Sequence, residues 1–128
     1  MVAAIRVAVC DDARAVKFFL RQVLEEEGDI VVVAASSTGE EALEKLLSCP
    51  TDVLLLDLVL PDVPDPAALV ARVRERSPET AILLISNLPP FSLEKEAERL
   101  AADGWMPKAA KPGQLREAVR EAMRAAAG

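Results

Sequence analysis

The chain has 128 residues, of which 52% are hydrophobic and 28% charged, so it can bury a core and is unlike a disordered segment. Its net charge of −6 disfavours direct binding to nucleic acids, and its lack of histidine excludes Ser-His-Asp triads and imidazole metal sites. The chain has no apolar run of the roughly 20 residues that a membrane-spanning helix needs and no secretory signal, so we expect a cytoplasmic protein without membrane contact.

In the first part of the chain, strand-type and helix-type segments alternate. Branched apolar residues predict a first strand over Ile5–Cys10, and helical spacing predicts a helix over 14–27. A second strand is predicted over 30–35, and Thr38 with Glu41 forms a capping box that begins a second helix. The apolar faces predicted for the two helices are Val16, Phe19, Leu20, Val23 and Leu24 in the first, and Ala42, Leu43, Leu46 and Leu47 in the second.

The second part of the chain repeats this alternation. The apolar run 52–57, bracketed by aspartates, predicts a central strand that is buried on both faces. The remaining predicted elements are a helix over 66–76 with Asp65 as its N-cap, a strand over 80–85, a helix over 92–102 capped by Ser92, a short strand over 105–107 and a helix from about Pro112. Five strand–helix units predict an α/β fold, a parallel sheet with helices on both faces, in a single domain over 1–128.

Polar side chains occur where the predicted strands end. Asp11 and Asp12 follow the first strand, Asp57 ends the third, Ser86 follows the fourth and Lys108 follows the fifth. Ligands of parallel α/β sheets bind beyond these strand ends. Clustered carboxylates bind hard cations such as Mg²⁺, a lysine can neutralise a phosphoryl oxygen, and an aspartate can attack phosphorus. Each residue taken alone could equally be a turn residue or a helix cap.

These residues lie within four motifs, VCDD at 9–12, LLLDLVLP at 54–61, IS at 85–86 and GWMPK at 104–108. In this order and spacing, the motifs resemble the receiver domain of bacterial two-component response regulators over nearly the whole chain. The resemblance implies a five-stranded parallel sheet with the flavodoxin-like strand order 2-1-3-4-5.

The resemblance also implies a magnesium site. Asp57 would be both the phosphoacceptor and a metal ligand, and Asp12 would bind Mg²⁺ directly. Asp11 would bind it more often through water, and the backbone carbonyl of Val59 would complete the protein ligands. The cofactor implied is therefore Mg²⁺ alone.

Three further residues would respond to the phosphoryl group. Ser86 would be the switch hydroxyl, and Lys108 would pair with the phosphoryl group. Lys111 competes for that role because a proline follows it, as one often follows the lysine in this family, whereas Ala109 follows Lys108. Trp105 stands where the family carries an aromatic residue that changes rotamer on activation, although it could also be a half-buried anchor of the last strand.

The function implied is a signalling switch rather than an enzyme acting on an external substrate. A sensor histidine kinase would donate the phosphoryl group, and the receiver would assist its own phosphorylation and dephosphorylation. The output would pass to a downstream protein, to a following output domain or to a phosphorylation-dependent homodimer.

Two alternatives remain open at this stage. Asn87 replaces a usually small residue beside the switch hydroxyl, and the proline-rich loop 61–66 lacks the usual glycine, which favours a pseudo-receiver that binds partners without phosphorylation. A magnesium-dependent phosphohydrolase also uses an aspartyl nucleophile, but it needs a larger substrate-binding region.

Overall fold

The computed structural model describes residues 3–127, in which strands and helices alternate from β1 to α5. The strands are β1 (Ile5–Cys10), β2 (Ile30–Ser36), β3 (Val53–Asp57), β4 (Ala81–Ser86) and β5 (Gly104–Pro107). The helices are α1 (Arg14–Glu25), α2 (Gly39–Ser48), α3 (Pro66–Arg76), α4 (Pro90–Leu100) and α5 (Pro112–Ala127).

The five strands form one parallel sheet in the order β2-β1-β3-β4-β5, which confirms the predicted fold and strand order. The strand order reverses between β1 and β3, where Cys10 pairs with Leu56. Asp57 in turn pairs with Ile85 of β4. The carboxyl ends of the central strands therefore lie side by side at the switch point, where such sheets bind ligands.

Two apolar cores cover the two faces of the sheet. One packs α1 and α5 against one face, and the other packs α2, α3 and α4 against the opposite face. All residues of β3 are buried; Val53 and Leu55 belong to the first core, whereas Leu54 and Leu56 belong to the second. Because successive side chains of a strand point to opposite faces, burial on both sides requires the continuous apolar run seen in the sequence.

The start of α4 differs from its prediction. The helix begins at Pro90 rather than at Ser92, which lies within the first turn and makes no capping hydrogen bond. Proline is suited to the first helical position because its φ is preset and its missing N–H would have no partner there. The carbonyl of Pro89 instead accepts the N–H of Leu93 at 3.0 Å.

The predicted apolar faces of the first two helices were too wide. Phe19 is 45% exposed and Leu47 is 67% exposed, whereas Leu20 and Leu46 beside them are buried. Neighbouring helical residues point about 100° apart, so only a narrow stripe of each helix reaches the sheet. The other predicted element ends match or differ by one or two residues: β1 and α3 have the predicted bounds, whereas α1 stops at Glu25 instead of continuing to Glu27. Within residues 3–127, none of the helices has the combined length and apolar character that crossing a membrane requires.

Candidate functional site

Three aspartates meet at the carboxyl ends of β1 and β3. Asp11, Asp12 and Asp57 each contribute a carboxylate oxygen, and these oxygens lie within 4.8 Å of one another. Asp11 is fully buried, Asp57 is 5% exposed and Asp12 is exposed. The adjacent ends of the two strands thus bring together side chains that lie more than 40 residues apart in the sequence.

A single ammonium group lies among these carboxylates. The Nζ of Lys108 is 2.7 Å from Oδ2 of Asp11 and donates a hydrogen bond of 3.1 Å to Oδ2 of Asp57. The lysine is positioned by its backbone, because its N–H donates to the carbonyl of Ser86 at 2.9 Å. Burial lowers the pKa of Lys108, but hydrogen bonds and charges from Asp11 and Asp57 outweigh this effect and raise it. Lys108 therefore stays protonated.

Asp57 is held in an environment that opposes its charge. Burial raises the pKa of the Asp57 carboxyl group, although the Val59 N–H and the Lys108 ammonium favour the ionised form. The Val59 N–H donates to Oδ1 of Asp57 at 3.2 Å. Both carboxylate oxygens of Asp57 therefore have a hydrogen-bond donor, so the side chain has a defined orientation.

Ser86 lines an open cleft together with Asp12 and Asp57. Its side chain is 3% exposed, and its Oγ accepts the N–H of Leu88 at 3.0 Å. The cleft has a volume of about 450 Å³. It is lined by Asp12, Asp57, Val59, Ser86, Asn87, Leu88, Pro89 and Lys108. Carboxylates, one ammonium and one hydroxyl therefore face a common space that is large enough for a small anion.

The donor set fits a hard divalent cation. Three carboxylates face one ammonium, which leaves an excess of negative charge. Oδ2 of Asp11 is buried, and the positive charge next to it is the Lys108 ammonium at 2.7 Å. Oxygen ligands of this kind suit Mg²⁺, which uses one or two carboxylates and retains several waters. Asp12, the exposed member of the cluster, is accessible to an incoming ion.

Comparison with known families matches residues 7–120 to the response regulator receiver domain. The chain belongs to this family. It therefore has a role in two-component signalling, as the sequence motifs suggested.

Two curated relatives show how receiver domains of this type occur in longer proteins. This receiver is 31% identical over 117 residues to the oxygen regulatory protein NreC of Staphylococcus aureus, covering 90% of this chain and 53% of NreC. It is 34% identical over 84 residues to protein-glutamate methylesterase/protein-glutamine glutaminase 2 of Carboxydothermus hydrogenoformans, covering 66% of this chain and 23% of that protein. This chain thus spans about half of the first relative and a quarter of the second.

Solved receiver domains share the whole architecture. The signal receiver domain of the response regulator NarL from Mycobacterium tuberculosis superposes with a TM-score of 0.85 at 28% identity, covering 96% of this chain and 98% of that chain. The receiver domain of AraT from Geobacillus stearothermophilus superposes with a TM-score of 0.79 at 33% identity, covering 94% of both chains.

The remaining candidates from the sequence lie outside the carboxylate cluster. Lys111 is exposed, and its backbone N–H bonds to Oε1 of Gln114. Trp105 is half-buried and packs against the core beneath α4, opposite Leu84 of the neighbouring strand. The geometry therefore brings Lys108 rather than Lys111 to Asp57, and it places Trp105 on the adjoining surface of the receiver.

One residue of this region had no signal in the sequence. Asp62, in the loop after Asp57, accepts the N–H of Gly39 at 2.9 Å and the N–H of Glu40 at 3.1 Å. These hydrogen bonds lower the pKa of the Asp62 carboxyl group. The capping box at Thr38 marked the start of α2, but a second cap from a residue 23 positions away becomes visible only in the folded receiver.

Proposed function

We propose that this receiver is a phosphorylation switch in which a sensor histidine kinase transfers a phosphoryl group to Asp57. The observation that carries the proposal is the position of Asp57, oriented by two donors at the base of a cleft shared with Asp12 and Lys108. Mg²⁺ would be held by Asp11, Asp12, Asp57 and the backbone carbonyl of Val59. When bound, it would supply positive charge to the phosphoryl oxygens.

The chemistry follows from this arrangement. A carboxylate oxygen of Asp57 attacks the phosphorus of a phosphohistidine, so that a P–O bond forms as the P–N bond breaks. The imidazole leaves with the electron pair and takes up a proton from solvent. Lys108 neutralises charge on the transferred group, and the folded loops hold the reacting groups in place, which is the protein's main contribution to such transfers.

Phosphorylation changes the partners of two side chains. The acyl phosphate carries about −1.5 to −2 charge in place of the single charge of the carboxylate, which gives Lys108 a stronger partner than Asp11. Ser86 accepts a hydrogen bond from Leu88, and its hydroxyl hydrogen can be donated to a phosphoryl oxygen. The changes of partner at Lys108 and Ser86 would both alter the surface formed by α4 and β5, where Trp105 lies. This surface would therefore differ between the two states.

The output would be a change of partner. A downstream protein, a following output domain or a phosphorylation-dependent homodimer would read the altered surface. The net charge of −6 gives this chain no basis for direct nucleic-acid binding, so any contact with DNA would belong to another domain. We also propose that residues 1–128 form a single domain in the cytoplasm that has no external substrate.

Phosphorylation by a small donor tests the proposal. Incubation with Mg²⁺ and acetyl phosphate should add one phosphoryl mass to the intact receiver, and Asp57→Asn should abolish the addition. Asp52→Asn is the matched control, because Asp52 lies just before the start of β3, far from the cleft, and accepts hydrogen bonds from the Arg6 side chain. Stoichiometric labelling of the Asp57→Asn variant would show that the acceptor is another residue.

A pseudo-receiver remains the second candidate because of one observation. Asn87 and Leu88 line the acceptor cleft and could obstruct the donor. A folded wild-type receiver that takes no phosphoryl group from either acetyl phosphate or a kinase would favour this candidate. Labelling restored by Asn87→Ala would assign the obstruction to Asn87.

A further inference from the structure

The loop that carries the acceptor is fastened to α2. After Asp57 the chain makes a tight turn, in which the N–H of Val63 donates to the carbonyl of Leu60 at 3.2 Å. Asp62 occupies this turn, and its two carboxylate oxygens accept the N–H groups of Gly39 and Glu40. One side chain thus connects the acceptor loop to the first turn of a helix that contributes no residue to the acceptor cleft.

These hydrogen bonds complete the N-terminus of α2. The first four N–H groups of a helix lack partners within the helix. Thr38 supplies a partner for one of them, since its Oγ1 accepts the N–H of Glu41 at 3.1 Å, whereas its carbonyl accepts the N–H of Ala42 at 3.1 Å in the first hydrogen bond of the helix itself. Asp62 supplies partners for two more, at Gly39 and Glu40. The negative charge of Asp62 is also favourable at the positive end of the helix dipole.

Close packing at Gly39 also holds the turn after Asp57 against the start of α2. A Cβ atom on Gly39 would lie 2.7 Å from Cγ2 of Val63 and 3.2 Å from a methyl carbon of Leu69. Because real Cβ atoms do not approach carbon this closely, only glycine allows the turn to lie against the helix without displacement. Leu58 and Leu60 on either side of Val59 are buried, which leaves the loop little freedom on its inner side.

The chain segment that leads into α2 also contacts the segment that carries Asp11. The N–H of Asp11 donates to the carbonyl of Ser36 at 3.0 Å, and the Sγ of Cys10 donates to the carbonyl of Thr38 at 3.4 Å. The segment 36–40 therefore contacts the Asp11 segment on one side and the Asp57 loop on the other. It thus connects the two carboxylate-bearing segments by hydrogen bonds to both of them.

We propose that Asp62 is a positioning residue that holds the Val59 backbone at the cation site through its hydrogen bonds to α2. This inference rests on the proposed function, because it concerns the same Mg²⁺ site. Asp62 is not itself offered as a ligand, since both of its oxygens are engaged by backbone N–H groups. Residues that orient metal ligands in this way typically contribute about 10- to 100-fold to metal affinity.

The experiment measures Mg²⁺ binding directly, by calorimetric titration of the full chain with MgCl₂. We expect Asp62→Ala to raise the Kd by about tenfold. Asp62→Asn should raise it less, because the amide oxygen can still accept one N–H. Gly39→Ala should also raise the Kd while leaving Asp62 in place, since the added methyl group displaces the turn at Val63.

Two controls separate positioning from stability. Asp65→Ala removes the N-cap of α3 in the same loop, where Oδ1 of Asp65 accepts the N–H of Ala67, and should lower the melting temperature without changing the Kd. Melting in EDTA records the stability of each variant apart from its Mg²⁺ affinity. Asp12→Ala establishes that the titration reports the carboxylate site.

The outcomes distinguish the inference from the function on which it rests. Mg²⁺ binding that depends on Asp12 but is unchanged in Asp62→Ala overturns the positioning role and leaves the proposed function standing. A Kd raised equally by Asp65→Ala and Asp62→Ala overturns it as well, because general loosening of the loop would then suffice. A wild-type receiver that binds no Mg²⁺ overturns both proposals.

Discussion

Asp57 is the last residue of β3 and Asp52 directly precedes that strand, and their surroundings shift their pKa values in opposite directions. Burial raises the pKa of Asp57 above 3.8, whereas the hydrogen bond from the Arg6 side chain lowers that of Asp52. A raised folded-state pKa means that the native state holds the proton more tightly than the unfolded chain. The stability that protonated Asp57 contributes is thus fully present at a pH below the pKa of Asp57 in the unfolded chain. It is lost as the pH rises through the higher pKa of Asp57 in the folded protein.

This difference predicts opposite effects of two similar substitutions. In EDTA at pH 7, Asp57→Asn should melt at a higher temperature than the wild type, and the gain should disappear as the pH falls below 3.8. Asp52→Asn should melt at a lower temperature at pH 7, because its lowered pKa stabilises the fold above 3.8 and that contribution is lost on acidification. Thermal melts across a pH series measure both. A lower melting temperature for Asp57→Asn at pH 7 would show that its ion pair with Lys108 outweighs the cost of burial.

If Asp57 is the acceptor, as proposed, the side chains around it predict a long-lived phosphorylated state. Val59 is 73% exposed and Leu88 is 39% exposed, and both line the cleft. Hydrolysis of an aspartyl-phosphate needs a water in line with phosphorus, and an apolar side chain cannot orient that water. Because misplacing a nucleophile costs on the order of 10²-fold in rate, we expect slow self-dephosphorylation.

Polar substitutions at these positions test the explanation. Val59→Asn and Leu88→Glu should each shorten the lifetime, measured as the decay of the phosphorylated fraction after the donor is removed. Val59→Ala and Leu88→Ala are the controls, since they open the cleft without adding a hydrogen-bonding group. Equal acceleration by alanine and by the polar residues would mean that access, rather than orientation of the water, limits hydrolysis.

At the scale of elements, α1 and α5 complement each other in charge. The last turn of α1 carries no basic residue, and Glu26 and Glu27 follow it, so the negative end of the helix dipole is not neutralised by α1 itself. Arg116 of α5 supplies this charge by donating to the carbonyl of Val23 at 3.0 Å, and Arg120 bonds to Glu27 and Asp29. The end of α1 is therefore stabilised by another helix.

The end of α4 contains a backbone conformation that alanine disfavours. Ala101 has φ 54 and ψ 43, the only positive φ at a non-glycine position among residues 3–127, and its carbonyl accepts a hydrogen bond from Arg74 at 2.8 Å. Left-handed backbone costs an L-residue about 1–2 kcal/mol, whereas glycine loses about 0.4–1 kcal/mol through the greater entropy of its unfolded state. Ala101→Gly should therefore increase the free energy of unfolding by about 0.5–1 kcal/mol.

Denaturant unfolding measures this change. Ala102→Gly is the matched control, because Ala102 has no positive φ and packs against the core, so glycine there should lower stability. A loss of stability in Ala101→Gly comparable to that in Ala102→Gly would show that the left-handed turn is not strained.

At the scale of the whole molecule, local patterns predicted most of the fold. The run 52–57 indicated a strand buried on both faces, and Asp65-Pro66 marked the start of α3, because burial and capping depend on residues close in sequence. The start of α4 was wrong because two signals, Ser92 and Pro89-Pro90, competed within four residues. The predicted burial of Phe19 and Leu47 was wrong because the width of a buried helix face depends on what packs against it.

The candidate site divides in the same way. The sequence by itself placed Asp11, Asp12, Asp57, Ser86 and Lys108 at strand ends, because each follows an apolar run that a sheet must bury. Their separations, the choice of Lys108 over Lys111 as the neighbour of Asp57, and the raised pKa of Asp57 were decided by the tertiary structure. The tertiary structure also decided the contact of Asp62 with α2, because the hydrogen-bond partners of Asp62 lie 22 and 23 residues away in the sequence. Periodicity and capping are local properties of the chain, whereas distances, burial and charge environments exist only after distant segments have packed together.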